Sequence, residues 1–293
     1  MPIHNYVTSG AETEGVNEVR GDYFVTFAPR LAAWADINPE SILVDVPCGT
    51  GGMSSSLRKL GLCRYVHLVD INEAMLAAAR TAVPDRAGYI VADAADLDQT
   101  VPPRSVDVIL CLNGWHIYVD RKSKFLDAAR RTLRPGGRLV FDVSTAALED
   151  GSRRYFERLD QLMGTDAGSL GSEVNLPRRA DQSVIDGYVS MCRSHGFTLL
   201  GRHLITRERP ISIENEKTLK IPGRMRPRFP QLDDATIRRL FLEASAQAQS
   251  DTGVTTLVKS RVFFILAVLG RPAQPAVPGP SMRWARNTRP SNY

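Results

Sequence analysis

Hydrophobic positions along the chain follow two rhythms. Phe24, Phe27, Leu31 and Trp34 recur at helical spacing, which predicts an amphipathic helix over Asp22–Asp36, interrupted near Pro29. From residue 41 short apolar or β-branched runs alternate with helical segments. Ile42–Val46, Tyr65–Val69, Gly88–Val91, Val106–Leu112 and Arg138–Val143 read as strands, and Ser54–Leu60, Asn72–Arg80 and Ser123–Leu133 as helices. Asn72 is a suitable N-cap, with Met75, Leu76 and Ala79 as the apolar stripe behind it. Phe125, Leu126, Ala129 and Leu133 share one side of the next helix, which Arg134-Pro-Gly-Gly137 stops. This alternation predicts βαβ units and a parallel sheet with both faces covered.

Beyond residue 144 the rhythm loosens. Leu148–Met163 is helical in pattern, Gly164–Ala180 is punctuated like a loop, and Val184–His195 is a helix ended by Gly196. Phe197–Thr206 and Val262–Leu269 read as strands that pair most simply as neighbours. Ile211–Gly253 is then an insertion: a loop with Pro222, Pro227 and Pro230, followed by a helix near Asp233–Gln249. The expected architecture is α/β, a doubly wound, mostly parallel seven-stranded sheet with helical lid insertions. Residues 1–36 form an N-terminal segment and helix. Residues 37–270 form the main domain, with insertions at about 146–180 and 211–253. Residues 271–293 form a Pro-rich tail expected to be disordered or a peripheral arm.

Composition narrows the classes. Of 293 residues, 43% are hydrophobic and 24% charged, the balance of a globular chain. The apolar run Val262–Leu269 is too short to span a bilayer, and the N-terminus lacks a basic start followed by an apolar stretch, so neither a membrane span nor a secretory signal is expected. Cys48, Cys63, Cys111 and Cys192 lie far apart without a CxxC, which points away from disulfides and zinc and towards a cytoplasmic setting. The net charge is +5, but Arg271, Arg283, Arg286 and Arg289 in the acid-free tail carry +4 of it. The body is therefore nearly neutral, weak support for a nucleic-acid-binding surface.

Candidate chemistry concentrates in Val44-Asp-Val-Pro-Cys-Gly-Thr-Gly-Gly52, where a strand ends in an acid, enters a glycine-rich loop and continues into a helix. Glycine admits close ligand approach and unusual dihedrals, and the helix start offers free N–H groups to an anionic group. In a doubly wound sheet this turn is where a nucleotide-like cofactor sits. The spacing is neither GxGxxG nor a P-loop.

The D-x-x-C-G-T-G pattern resembles motif I of the class I S-adenosylmethionine-dependent methyltransferases. Asp70 in Leu68-Val-Asp-Ile-Asn72, Asp93-Ala94, Val106-Asp-Val-Ile and Leu133-Arg-Pro-Gly-Gly-Arg-Leu match later motifs in order, so the resemblance covers roughly residues 40–145. It is to the ubiquinone/menaquinone-methyltransferase-like branch, which acts mostly on small molecules. Pro47 replaces the Gly or Ala more usual there, with little effect expected. The resemblance implies a Rossmann-like methyltransferase fold and S-adenosyl-L-methionine as cofactor. It implies Asp70 at the ribose hydroxyls and Asp93 with Ala94 at the adenine amine. The cofactor set it suggests is Tyr23, Asp45, Cys48, Gly49, Thr50, Gly51, Asp70, Ile71, Met75, Asp93, Ala94, Leu112 and Asn113. The cofactor's chemistry agrees: hydroxyls want carboxylate acceptors, an ammonium suits the region of Asp45, and with no phosphate to neutralise the loop needs no Lys or Arg.

On the acceptor side, Leu112-Asn-Gly-Trp-His-Ile-Tyr118 follows the fourth strand. His116 is the candidate general base, because imidazole titrates near neutral pH; a structural role is the alternative. Trp115 either covers the cofactor or acceptor or packs in the core, and Tyr118 and Arg224 are candidate substrate contacts. Cys48 reads as a small buried residue; its Pro-Cys pair lies in the cofactor loop and not where cytosine-C5 methyltransferases carry their nucleophile. Asn113-Gly-Trp departs from the Asn/Asp-Pro-Pro-aromatic motif of enzymes methylating base or glutamine nitrogens, and Asp142 lacks the Asp-Asn neighbours of a metal-dependent mechanism, so no metal is expected. Lys217, Lys220, Arg224, Arg226 and Arg228 give the second insertion a basic stretch, either a solvated loop or a lid meeting an acidic acceptor. The expected function is methyl transfer to an oxygen or nitrogen of a small metabolite in specialised (natural-product) biosynthesis, by a monomer or homodimer without membrane or nucleic-acid partners. The alternatives are an RNA methyltransferase using the basic lid and tail, a cofactor-binding protein without catalysis, and an enzyme using the same scaffold for a pericyclic or decarboxylation reaction.

Overall fold

The computed structural model describes residues 24–144 apart from 117 and 119, together with 150–165, 182–211 and 228–268. The strands are β1 (Ile42–Asp45), β2 (Tyr65–Asp70), β3 (Ala87–Val91), β4 (Val106–Cys111), β5 (Leu133–Ser144), β6 (Phe197–Pro210) and β7 (Thr256–Val268). The helices are α1 (24–35), α2 (Gly52–Lys59), α3 (Glu73–Ala82), α4 (Leu97–Thr100), α5 (Lys122–Thr132), α6 (Asp150–Met163), α7 (Gln182–Ser194) and α8 (Asp234–Thr252). One seven-stranded sheet runs β3-β2-β1-β4-β5-β7-β6. Strands β1 to β5 pair in parallel, whereas β7 is antiparallel to both β5 and β6.

The apolar runs split between two layers because successive side chains leave a strand on opposite faces. Leu43, Leu110 and Val140 join one core with Phe27 and Leu31 of α1, Leu57 of α2 and Leu76 of α3. Val44, Ile109 and Phe141 join the other with Phe125 and Ala129 of α5 and Val189 of α7. Asn72 caps α3, its side chain accepting from the Ala74 N–H at 2.9 Å. Gly196 follows α7 with φ 83°, the left-handed position expected after a helix end.

Two local expectations need correction. Helix α1 runs through Pro29 without a break. The missing N–H would have paired with the Val25 carbonyl, and both residues lie on the exposed side, where water can serve that carbonyl. Strand β5 begins at Leu133, directly after α5, and not at Arg138. Leu133 already pairs with Val106, and Arg134–Gly137 bulge out before Arg138 resumes pairing with Val108.

Because β6 runs parallel to β5, both end on the carboxyl edge of the sheet. Helix α6 follows β5 and α8 precedes β7, so the two meet, with Phe156, Leu159, Ile237 and Phe241 in a separate apolar cluster. Inside it the Tyr155 hydroxyl hydrogen-bonds Ser245 Oγ. Most of the Gly164–Ala180 loop, Pro222 and Pro227 of the second insertion, and the tail at 271–293 lie outside the described residues. Among the described residues no helix is long and apolar enough to cross a membrane.

Candidate functional site

The parallel strands present their carboxyl ends together, and the acids at those ends form the site. Asp45 closes β1 and is 4% exposed, and Asp70 closes β2 at 6%. Asp70 accepts the Gly49 N–H through Oδ2 and the Asn72 N–H through Oδ1, each at 2.9 Å. It thereby ties the glycine loop to the start of α3. Burial raises its pKa, and these backbone donors oppose the rise. Asp45 accepts from Ser54 Oγ at 2.6 Å. Burial pushes it up to about 7; the Ser54 hydrogen bond works against this and the charge of Asp70 adds to it.

Between the acids the backbone turns tightly. The Cys48 N–H donates to the Val69 carbonyl at 2.9 Å, and the Gly51 N–H to the Cys48 carbonyl at 3.0 Å. Gly49 and Gly51 have φ 53° and 75°, a region glycine enters at little cost. A Cβ on Gly51 would lie 3.2 Å from Ala79 Cβ, so the loop packs directly on α3. A Cβ on Gly49 would meet nothing within 4 Å: the loop is open on that side. Thr50 is buried, and burial, with Asp45 and Asp70 nearby, holds the Cys48 thiol far above its ordinary pKa. Cys48 is thus an inert packing group.

Pro47 packs against the turn after β4. The Val46–Pro47 bond is cis, and a Cβ on Gly114 would fall 2.2 Å from Pro47 Cδ. Gly114 is therefore the residue that lets the post-β4 turn lie against the loop.

At the third strand end Asp93 accepts the Ala95 N–H at 2.8 Å and pairs with Arg121, while Ala94 is buried. Ile71, beside Asp70, leaves 47% of its surface exposed, an apolar surface next to the acids; Met75 and Leu112 are partly buried. Asn113 has φ 55°, and its N–H donates to Asp142 Oδ1 at 2.7 Å. Asp142 also pairs with Arg261, so this acid serves to fix the turn after β4.

The acceptor-side candidates separate. Trp115 is fully buried, stacked on Phe141 at 4.0 Å and 13° and edge-on to Tyr188 at 5.5 Å. That corrects its reading as a cover for cofactor or acceptor: a ring held between sheet and helix has no free face to offer. His116 is partly buried in the same turn. Burial raises the Tyr118 phenol pKa well above its usual value, and Cys111, Asp70, Asp93 and Cys48 add to the rise, so Tyr118 lies within electrostatic reach of the strand-end acids. Tyr23, Arg224, Lys217, Lys220 and Arg226 lie outside the described residues; Arg228 is exposed. The sequence reading missed Ser54 and Arg121. No spacing signals them, because each reaches its carboxylate only through the fold.

The site suits the expected cofactor. Its acids are buried without a cation in the glycine loop, which would repel phosphate and favour hydroxyls and an ammonium. The open face of Gly49 leaves room for close approach.

Comparison with known proteins agrees. Residues 44–141 match a family described as a methyltransferase domain. A ubiquinone/menaquinone biosynthesis C-methyltransferase of Psychromonas ingrahamii is 30% identical over 141 residues, 43% of this chain and 55% of that protein. The chain thus spans little more than half of that relative's length. A malonyl-[acyl-carrier protein] O-methyltransferase of Methylococcus capsulatus is 26% identical over 209 residues, 67% of this chain and 75% of that one. A solved structure from Bacillus halodurans C-125 shares the fold, with TM-score 0.53 at 14% identity over 84% of this chain and 100% of that one. The matched segment spans β1 to β5, the part of the sheet that holds the glycine loop and the strand-end acids. Within this match and these likenesses, the chain is similar to S-adenosylmethionine-dependent methyltransferases.

Proposed function

We propose that the protein transfers a methyl group from S-adenosyl-L-methionine to an oxygen or nitrogen of a small metabolite, in specialised biosynthesis. The observation that carries this reading is the pair of buried strand-end acids, Asp45 and Asp70, around a glycine loop with one open face. When bound, the cofactor supplies an electrophilic methyl on a positively charged sulfur. Asp70 keeps lone pairs for ribose hydroxyls while its two backbone donors hold it still. Asp45 faces the ammonium, the Gly49 backbone permits close approach, Ile71 offers an apolar surface to the base, and Asp93 accepts from the adenine amine.

In-line displacement needs alignment above all, and the pinned turn at Asn113 supplies a rigid acceptor-side wall. His116 in that turn takes the proton from a hydroxyl or ammonium acceptor. The nearly neutral body and the O-methyltransferase among the similar proteins support a small-molecule acceptor.

Calorimetry with S-adenosylhomocysteine tests the cofactor assignment. Binding is expected; no heat with it, together with ready binding of a dinucleotide, would overturn the assignment. Incubating the protein with methyl-labelled cofactor and a metabolite extract, with mass-spectrometric detection, then identifies the acceptor.

A further inference from the structure

Arg121 occupies the first position before α5, at the end of the turn that carries His116 and Tyr118. Its Nη1 contacts Asp93 Oδ2, and its Nη2 lies 3.6 Å from Asp96 Oδ2. Asp96 is also held by Lys124, one turn further along α5. The other Asp93 oxygen, Oδ1, takes the Ala95 N–H at 2.8 Å. Each oxygen of Asp93 is thus fixed by one donor and keeps a lone pair. The Asp93 side chain is 12% exposed, whereas Arg121 is 40% exposed. Arg121 is thus the more exposed partner, and Asp93 the more enclosed one.

We propose that Arg121 is a positioning residue that makes Asp93 selective for an amino-purine. The proposal rests on the cofactor reading given above. A carboxylate is an acceptor only, so it welcomes the exocyclic amine of adenine and opposes the oxygen that hypoxanthine carries at that position. Without Arg121 the carboxylate loses its lateral support and can rotate away from the amine. Arg121 also donates its backbone N–H to the Tyr118 carbonyl at 3.2 Å. The residue that orients the adenine end thereby also braces the acceptor-side turn.

Calorimetry with S-adenosylhomocysteine and S-inosylhomocysteine on native protein, Arg121→Gln and Arg121→Lys tests this. The native chain should prefer the adenosyl compound. Arg121→Gln should weaken that compound about tenfold, the scale of one charge-assisted hydrogen bond, and leave the inosyl compound nearly unchanged; Arg121→Lys should restore part of the preference. Equal weakening of both ligands, or of neither, would reduce Arg121 to a tie between α5 and the turn at Asp93 and overturn the proposal alone. Failure of the native chain to bind S-adenosylhomocysteine would overturn the cofactor reading and this inference with it.

Discussion

At the scale of single residues, the site depends on carboxylates that already have structural work. Asp70 accepts from both the glycine loop and α3, so a substitution there removes a loop tie along with the proposed ribose contact. Asp70→Ala should weaken S-adenosylhomocysteine binding by about 1.5–3 kcal/mol, the range for a hydrogen bond to a charged group. Calorimetry reads this directly, and an unchanged affinity would remove Asp70 from the ribose. His116→Ala should lower turnover more than cofactor affinity, because the proposed role of the imidazole is to take the acceptor's proton. Steady-state kinetics beside calorimetry separates the two quantities, and an unaltered turnover would make His116 scaffolding.

At the scale of elements, α6 and α8 form a body with its own apolar cluster. Phe241 is fully buried there, so Phe241→Ala should destabilise this pair by about 3–5 kcal/mol, the usual cost of emptying a phenylalanine site. Hydrogen exchange should show α8 loosened while affinity for S-adenosylhomocysteine stays the same. A parallel loss of affinity would mean that the helices and the cofactor loop are one unit. The elements themselves were legible in the sequence because their signals are local: an apolar run for β1, an Asn72 cap for α3, a glycine after α7. The motif order likewise revealed the three strand-end acids. Their partners were hidden, since Ser54 at Asp45, Arg121 at Asp93 and Arg261 at Asp142 meet only when separate elements pack. Trp115 shows the same limit, because an aromatic letter does not say which of its faces is covered. Pro29 misled because its effect depends on whether the orphaned carbonyl can reach water.

At the scale of the molecule, one buried acid links folding to pH. Asp45 titrates near 3.8 when unfolded and at about 7 when folded, so the native state holds more protons between those values. Its contribution to stability is complete below the unfolded value and is lost as pH rises through about 7, at up to about 1.4 kcal/mol per pH unit. Asp45→Asn keeps an acceptor for Ser54 and removes the ionisation. Denaturant titrations should therefore show the native chain losing stability relative to the variant as pH climbs from 5 to about 7, the upper end of that window. Parallel curves would contradict the assignment. The cofactor's ammonium favours ionised Asp45, so affinity for S-adenosylhomocysteine should fall as pH drops below about 7.

The reversed direction of β7 has a further effect. Chain that leaves β6 must come back to the same rim before it can enter β7, just as chain leaving β5 starts from that rim. Length can be added at either place without disturbing a residue of β1, β2 or the loop between them. For the methyl transfer proposed above, this keeps the loop assigned to the donor apart from the two places where chain length can change.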